Sequence, residues 1–204
     1  LPALQDNFGN PSSIQSFGRS ARVQLDEARE KVARLIGASS SEIIFTSGGT
    51  EAKHLALLGV ALKDKEKKII TSKTEHPSVL NPCRQLEEQG VEVHYLDVDR
   101  FGRIDINNLE SQITESTALI SLQHANSETG VLQDIKKVSE LARSNGVLFH
   151  TDAVQTVAKI EFDLKDYPVD MLSISAHKFN CCLFNTSEAA AEPHRGDAAG
   201  SGSI

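Results

Sequence analysis

A chain of 204 residues with 28 acidic and 21 basic side chains carries a net charge of −7, so it offers no basic face for neutralising phosphates and nucleic acid is excluded as a partner. Its three cysteines, Cys83 alone and Cys181 beside Cys182, give neither a disulfide framework nor the C-x-x-C pairs of a metal site; no metal is expected, and a reducing, cytoplasmic setting fits. The longest apolar run, over 55–62, is too short to span a bilayer, so no membrane partner is expected, and the length suits one sizeable core.

The opening LPALQDNFGNPSS is polar and turn-rich and has no initiator Met; it reads as starting inside a longer protein. Asn10-Pro11-Ser12-Ser13 is a turn and helix-start signal, and Val23, Leu25, Ala28, Val32, Leu35 and Ile36 follow helical spacing over 20–36. Gly37 ends that helix. Residues 42–46, EIIFT, form a short strand, followed by Ser47-Gly48-Gly49-Thr50-Glu51 and a helix over 52–62. A strand, a glycine turn and a helix start in succession suit an anion, because bare backbone N–H groups and the positive end of the helix dipole meet there. The same spacing also suits a plain strand-to-helix turn.

A strand over 68–71 leads to Thr74-Glu75-His76 and a helix over 77–89, with Pro77 suited to the first helical position. His76 then falls on the same sheet edge as the glycine turn, as a structural histidine or as a candidate ring-stacking partner and proton carrier. A strand over 91–96, a short helix over 105–113 capped by Asp105, and a strand over 117–122 come next, the last ending in a polar loop, 123–130, that contains Ser127. An amphipathic helix over 135–144 precedes a strand over 147–151 that delivers Asp152, with Gln155 one turn further. A carboxylate placed there can keep a pyridine nitrogen protonated. The last strand, over 171–174, runs through Ser175 and His177 to Lys178. A lysine desolvated in a pocket at a strand end can form a Schiff base with a carbonyl cofactor; a lysine after a strand can equally be a solvated cap.

The alternation over 42–178 predicts an α/β fold, a mostly parallel sheet covered by helices on both faces, with ligands at the edge where the strands end. Residues 1–41 form an N-terminal segment and helix packing on this domain. Residues 179–204 drift into Ala, Gly and Ser without a period and predict a disordered tail.

FGNPSSIQSFGR (8–19), IIFTSGGTEA (43–52), TSKTEHPSVL (71–80), HANSETGVLQ (124–133), HTDAVQ (150–155) and SISAHK (173–178) together resemble the cysteine desulfurase family, with selenocysteine lyases as close relatives. The resemblance implies the large domain of fold-type I, aspartate-aminotransferase-like enzymes, with pyridoxal 5′-phosphate as cofactor. It implies that Lys178 binds the cofactor and moves the substrate's Cα proton, and that His76 stacks on the ring and assists. Asp152 would face the ring nitrogen and Gln155 the ring hydroxyl, while Gly49, Thr50, Ser175 and His177 would hold the phosphate. The implied reaction takes sulfur from L-cysteine, leaving alanine and a persulfide for iron–sulfur cluster or thio-cofactor synthesis. The implied partners are a sulfur-acceptor or scaffold protein and a second copy in a homodimer, in the cytoplasm or an organellar matrix.

The sequence departs from the family in three places. Ser127 stands where the family has the second of two asparagines, the one that contacts the cofactor, and Ala52-Lys53-His54 replaces an asparagine-rich continuation. The family's small domain, with its sulfur-accepting cysteine, does not follow Lys178, and its first strand does not precede Leu1. The expectation is a large domain truncated at both ends that does not release sulfur at the family's rate, because Cys181 and Cys182 are tethered on the same side as Lys178. The alternatives are an inactive cofactor-binding remnant or interaction module, and a selenocysteine lyase-like enzyme.

Overall fold

A computed structural model describes residues 9–63, 66–179 and 188–191. Among these, seven strands form one sheet: β1 (Ile43–Thr46), β2 (Lys68–Ser72), β3 (Val93–Leu96), β4 (Thr117–Gln123), β5 (Leu148–Asp152), β6 (Met171–Ser173) and β7 (Glu188–Ala191). Their order across the sheet is β1-β7-β6-β5-β4-β2-β3. From β6 to β3 every pairing is parallel, and β7 lies antiparallel to both its neighbours, so β1 runs in the same direction as β6. The helices are α1 (Ser16–Ile36), α2 (Gly49–Ala61), α3 (Pro77–Glu88), α4 (Ile106–Gln112) and α5 (Ile135–Ser144).

Strand alternation divides the core into two layers. Ile69, Leu119 and Met171 face one way and pack with Ala56, Leu57 and Ala61 of α2 and Val79, Cys83 and Leu86 of α3. Their chain neighbours Ile70, Ile120 and Leu172 face the other way, toward Ala33 and Ile36 of α1, Leu109 of α4 and Ile135, Val138 and Ala142 of α5. Helices therefore cover both faces, as the alternating sequence predicts. Burial on both faces is also why all five residues of β2 are buried and why β4 carries apolar residues toward both sides of the sheet.

The boundaries differ from the sequence reading where polar side chains reach back along the chain. α2 begins at Gly49, three residues early, because the Glu51 carboxylate accepts the Ser47 N–H and hydroxyl and lets the glycine turn take up helical geometry. Val91 stays out of β3 because its N–H closes α3 on the Leu86 carbonyl. At the other end of the chain, four residues of the segment expected to be disordered, Glu188–Ala191, form β7. Backbone pairing on two sides explains how a segment without large side chains joins the sheet, since ladder hydrogen bonds do not depend on side-chain size. The rest of that tail, with Cys181 and Cys182, lies outside the described residues.

Gly37 ends α1 with a left-handed φ of +74°, and its N–H and that of Ala38 both return to the Ala33 carbonyl. A Cβ at this position would lie 2.2 Å from Asp163 Oδ1, an oxygen already pinned by the Lys165 N–H. Gly90 has a φ of +90° and nothing within 4 Å of a Cβ. Gly90→Ala should therefore cost only the left-handed penalty of about 1–2 kcal/mol, and Gly37→Ala clearly more. Urea unfolding of the two variants checks this; equal losses would remove the Asp163 contact from the explanation.

Candidate active site

Parallel pairing brings the carboxyl ends of β2, β4, β5 and β6 to one edge of the sheet. The register puts Gln123, Asp152 and Ser173 side by side at the ends of β4, β5 and β6. A cleft of about 420 Å³ opens above them. It is lined by Gly49, Thr50, His76, Ser127, Asp152, Gln155, Ser175, His177 and Lys178, which are all nine of the site residues singled out from the sequence.

On one side stands the start of α2. Its first N–H groups have no acceptor within the helix, and Gly48, Gly49 and Thr50 line the cleft there. Opposite, β6 leads into a single 3₁₀ turn over Ala176–Phe179, in which the Ser175 hydroxyl lies 2.7 Å from His177 Nδ1 and the Lys178 N–H returns to the Ser175 carbonyl. This turn changes one expectation. Lys178 is exposed rather than desolvated, because the chain has left the sheet at Ser173 before reaching it.

The desolvated lysine is Lys53, one turn into α2 and only 4% exposed. Its ammonium lies 2.6 Å from Asp152 Oδ2 and donates to the Ser78 hydroxyl at 3.0 Å. The other Asp152 oxygen accepts the Val154 N–H at 3.0 Å. An ammonium can only donate, so Ser78 Oγ is the acceptor from Lys53, and its own proton points to His76 Nδ1, 2.7 Å away. His76 caps α3, with Nδ1 also accepting the Ser78 N–H at 3.1 Å, so the neutral ring carries its proton on Nε2. Burial, and then the charge of Lys53, hold the His76 pKa below the usual histidine value, with Lys178 adding to the effect and Asp152 opposing it.

Beneath the cleft floor are two more titratable groups. His150 is fully buried between the hydroxyls of Ser121 and Ser173, and burial lowers its pKa to about 4. Glu75 accepts the Ser72 hydroxyl at 2.8 Å and the Gln123 N–H at 3.0 Å through Oε1, while Oε2 has no partner among the described residues. Burial pushes its pKa up to about 8, so Oε2 holds a proton at neutral pH. Ser127 sits in an exposed loop anchored by Asn126, whose amide donates to the Thr74 carbonyl and whose oxygen accepts the N–H groups of Glu128 and Thr129. Gln155 accepts from Lys159 at 2.9 Å. No helix among the described residues is long and apolar enough to cross a membrane, and they contain no cluster of side chains suited to a metal ion.

Sequence reasoning missed Lys53, Ser78 and Glu75 as parts of this site. For Lys53 a signal was present: it lies three residues after Thr50, on the same helical face as the glycine turn, and it replaces an expected asparagine. Glu75 gave no signal, because nothing in Thr-Glu-His says which way the carboxylate turns.

A helix start, a carboxylate and an amine thus converge on the carboxyl edge of a parallel α/β sheet, the place where folds of this class bind their ligands. The chain belongs to the aminotransferase class-V family, whose model matches residues 2–182. This is a pyridoxal-phosphate-dependent family. Among curated proteins, the chain is 53% identical over 180 residues to a cysteine desulfurase IscS of Dictyoglomus turgidum, covering 87% of this chain and 46% of that one. A cysteine desulfurase IscS of Methanosarcina thermophila is 46% identical over 181 residues, covering 88% and 45% respectively. Among solved structures, SspA in complex with cysteine superposes with a TM-score of 0.88 at 36% identity, over 94% of this chain and 55% of that one. A NifS-like protein gives the same score and identity over 96% and 54%. The chain thus spans about half the length of the relatives it matches.

Glu75 gives this site a pH signature. Below its ordinary pKa of 4.5 it is protonated in folded and unfolded chain alike. Above that, the unfolded chain ionises while the buried carboxyl keeps its proton up to about 8, so its contribution to stability falls with rising pH across this window. Glu75→Gln keeps the accepting oxygen and removes the titration. The variant should gain stability on the parent steadily from the acid to the alkaline side of the window, as read by urea unfolding at several pH values. A constant gap between the two would show that Glu75 ionises freely in the fold.

Proposed function

We propose that this chain is the pyridoxal-phosphate-binding portion of a cysteine desulfurase, an enzyme that takes sulfur from L-cysteine and leaves alanine. The observation that carries this reading is the single cleft in which all nine candidate residues meet. The residues offer the chemical groups that the cofactor would need. The start of α2, with Thr50, Ser175 and His177 beside it, offers N–H, hydroxyl and imidazole groups to a phosphate. Asp152, at the end of β5, offers a carboxylate to a ring nitrogen, and Gln155 lies one turn beyond it.

When bound, the cofactor supplies the electron sink that makes a Cα–H bond acidic. The residues of this chain orient that bond and receive its proton. Lys178, which lines the cleft, is the amine that would hold the cofactor covalently, and its Nζ the base that would take the Cα proton. His76, neutral and with its proton on Nε2, presents a flat face for stacking and a donor for passing a proton on. Ser127 contributes a hydroxyl too short to span what an asparagine amide would. The reading includes a sulfur-accepting or scaffold protein and a second copy of the chain as partners, and a reducing compartment, cytoplasm or organellar matrix, that suits the free thiol of Cys83. Cys83 itself is no candidate for sulfur chemistry, because burial pushes its thiol up to about 12.

The test is cofactor uptake followed by borohydride trapping and peptide mapping. Label should fall on Lys178 alone, and Lys178→Ala should abolish it; label spread over several lysines would reduce the binding to surface chemistry. Ser127→Asn should tighten cofactor binding by about fivefold, the worth of one hydrogen bond near 1 kcal/mol. Alanine formation from L-cysteine then separates an enzyme from a cofactor-binding domain.

A further inference from the structure

The cleft contains a buried cation that the reading above does not use. Lys53 faces the same carboxylate that would meet the ring nitrogen, at 2.6 Å, and through Ser78 it also reaches the histidine that would stack on the ring. We propose that Lys53 is a positioning residue that shares Asp152 with the cofactor's ring nitrogen, weakening that nitrogen's hold on its proton, and that by donating to Ser78 Oγ it turns the Ser78 hydroxyl proton toward His76 Nδ1. This inference rests on the pyridoxal-phosphate reading of the cleft.

Two physical effects act in the same direction. A carboxylate already bridged by an ammonium is a poorer acceptor for a second N–H⁺ donor, since its negative charge is shared. The ammonium itself, held in a poorly solvated pocket, repels a second positive charge placed beside it. Each lowers the proton affinity of a ring nitrogen at Asp152. The remaining ionisable neighbours do not cancel this. Glu75 is kept protonated by burial, His150 is kept neutral between two hydroxyls, His76 is held neutral, and Lys178 adds positive charge until it is consumed in binding the cofactor. Lys53 also supplies the counter-charge that a carboxylate only 6% exposed needs.

The experiment loads the parent chain, Lys53→Met and Lys53→Gln with pyridoxal phosphate isotope-labelled at the ring nitrogen, and follows the nitrogen resonance against pH. Methionine keeps the length of the side chain and removes the charge. Glutamine keeps a donor toward Asp152 and Ser78, so that one variant remains informative should the other fail to fold. In both variants the ring nitrogen should hold its proton to a pH higher by about one unit or more, a tenfold gain in proton affinity. Identical nitrogen titrations in the parent and the variants would overturn the inference while leaving the cofactor reading intact. A parent chain that takes up no cofactor would overturn both. Lost thermal stability with an unchanged nitrogen titration would assign Lys53 a structural role and reject the positioning one.

Discussion

The parallel pairing of β2, β4, β5 and β6 is the constraint on which the site depends. Parallel neighbours end on the same edge, and the chain must cross back over the sheet before each next strand, through a helix as far as β5 and through a run of turns between β5 and β6. Every turn that leaves a strand on that edge is thereby brought near every other. Thr74-Glu75-His76, the loop around Ser127, Asp152 and the Ser175–Lys178 turn are far apart in the chain, and only this topology assembles them. The matched levels of Gln123, Asp152 and Ser173 show how finely register sets the site: a shift of one residue in β5 would turn the Asp152 carboxylate to the opposite face.

The cleft floor combines charges that would each be costly alone. A buried lysine, a buried aspartate and a neutral histidine share one hydrogen-bonded chain, while a protonated glutamate and a second neutral histidine are each held by partners of their own. The Lys53–Asp152 pair offsets the desolvation of both partners, so removing either would strand the other in a poorly solvated place. The hydroxyls of Ser78, Ser121 and Ser173 act as adaptors, each able to donate or accept as its neighbour requires. Electrostatic order of this kind is fixed before any ligand arrives.

Much of this fold was legible in the sequence because its signals were local. Apolar runs in β2 and β4, the Asp105 and Pro77 helix starts and the glycine turn after β1 are each set by neighbours in the chain, and the structure has them within a few residues. The residues lining the cleft were legible because each lies at or within a few residues of a strand end, where strand ends share an edge, and because the motifs that carry them resemble a known family. What could not be read was anything decided by a side chain's direction. Lys53 gave only the hint of a helical position below the glycine turn, and whether it met solvent or Asp152 depended on how α2 packs over the sheet. The burial of Glu75 depended on the Gln123 N–H, 48 residues away. Composition likewise pointed the wrong way for Glu188–Ala191, where pairing on both sides outweighs the want of apolar side chains.

The place of β7 bears on the order in which the molecule can assemble. β1 carries the glycine turn, yet it joins the rest of the sheet only through β7, and its partners in the ladder are about 150 residues later in the chain. Loop closure over such a span is entropically slow to reach compared with the short connections that link β2 to β6 in succession. As a chain emerges from its N-terminus, the half of the cleft built on β4, β5 and β6 can take shape while β1 still has no ladder partner. The ladder partner of β1 is therefore the last to arrive, and until then the glycine-turn end of the cleft is held against the sheet by the packing of α2 on Ile69 and Leu119.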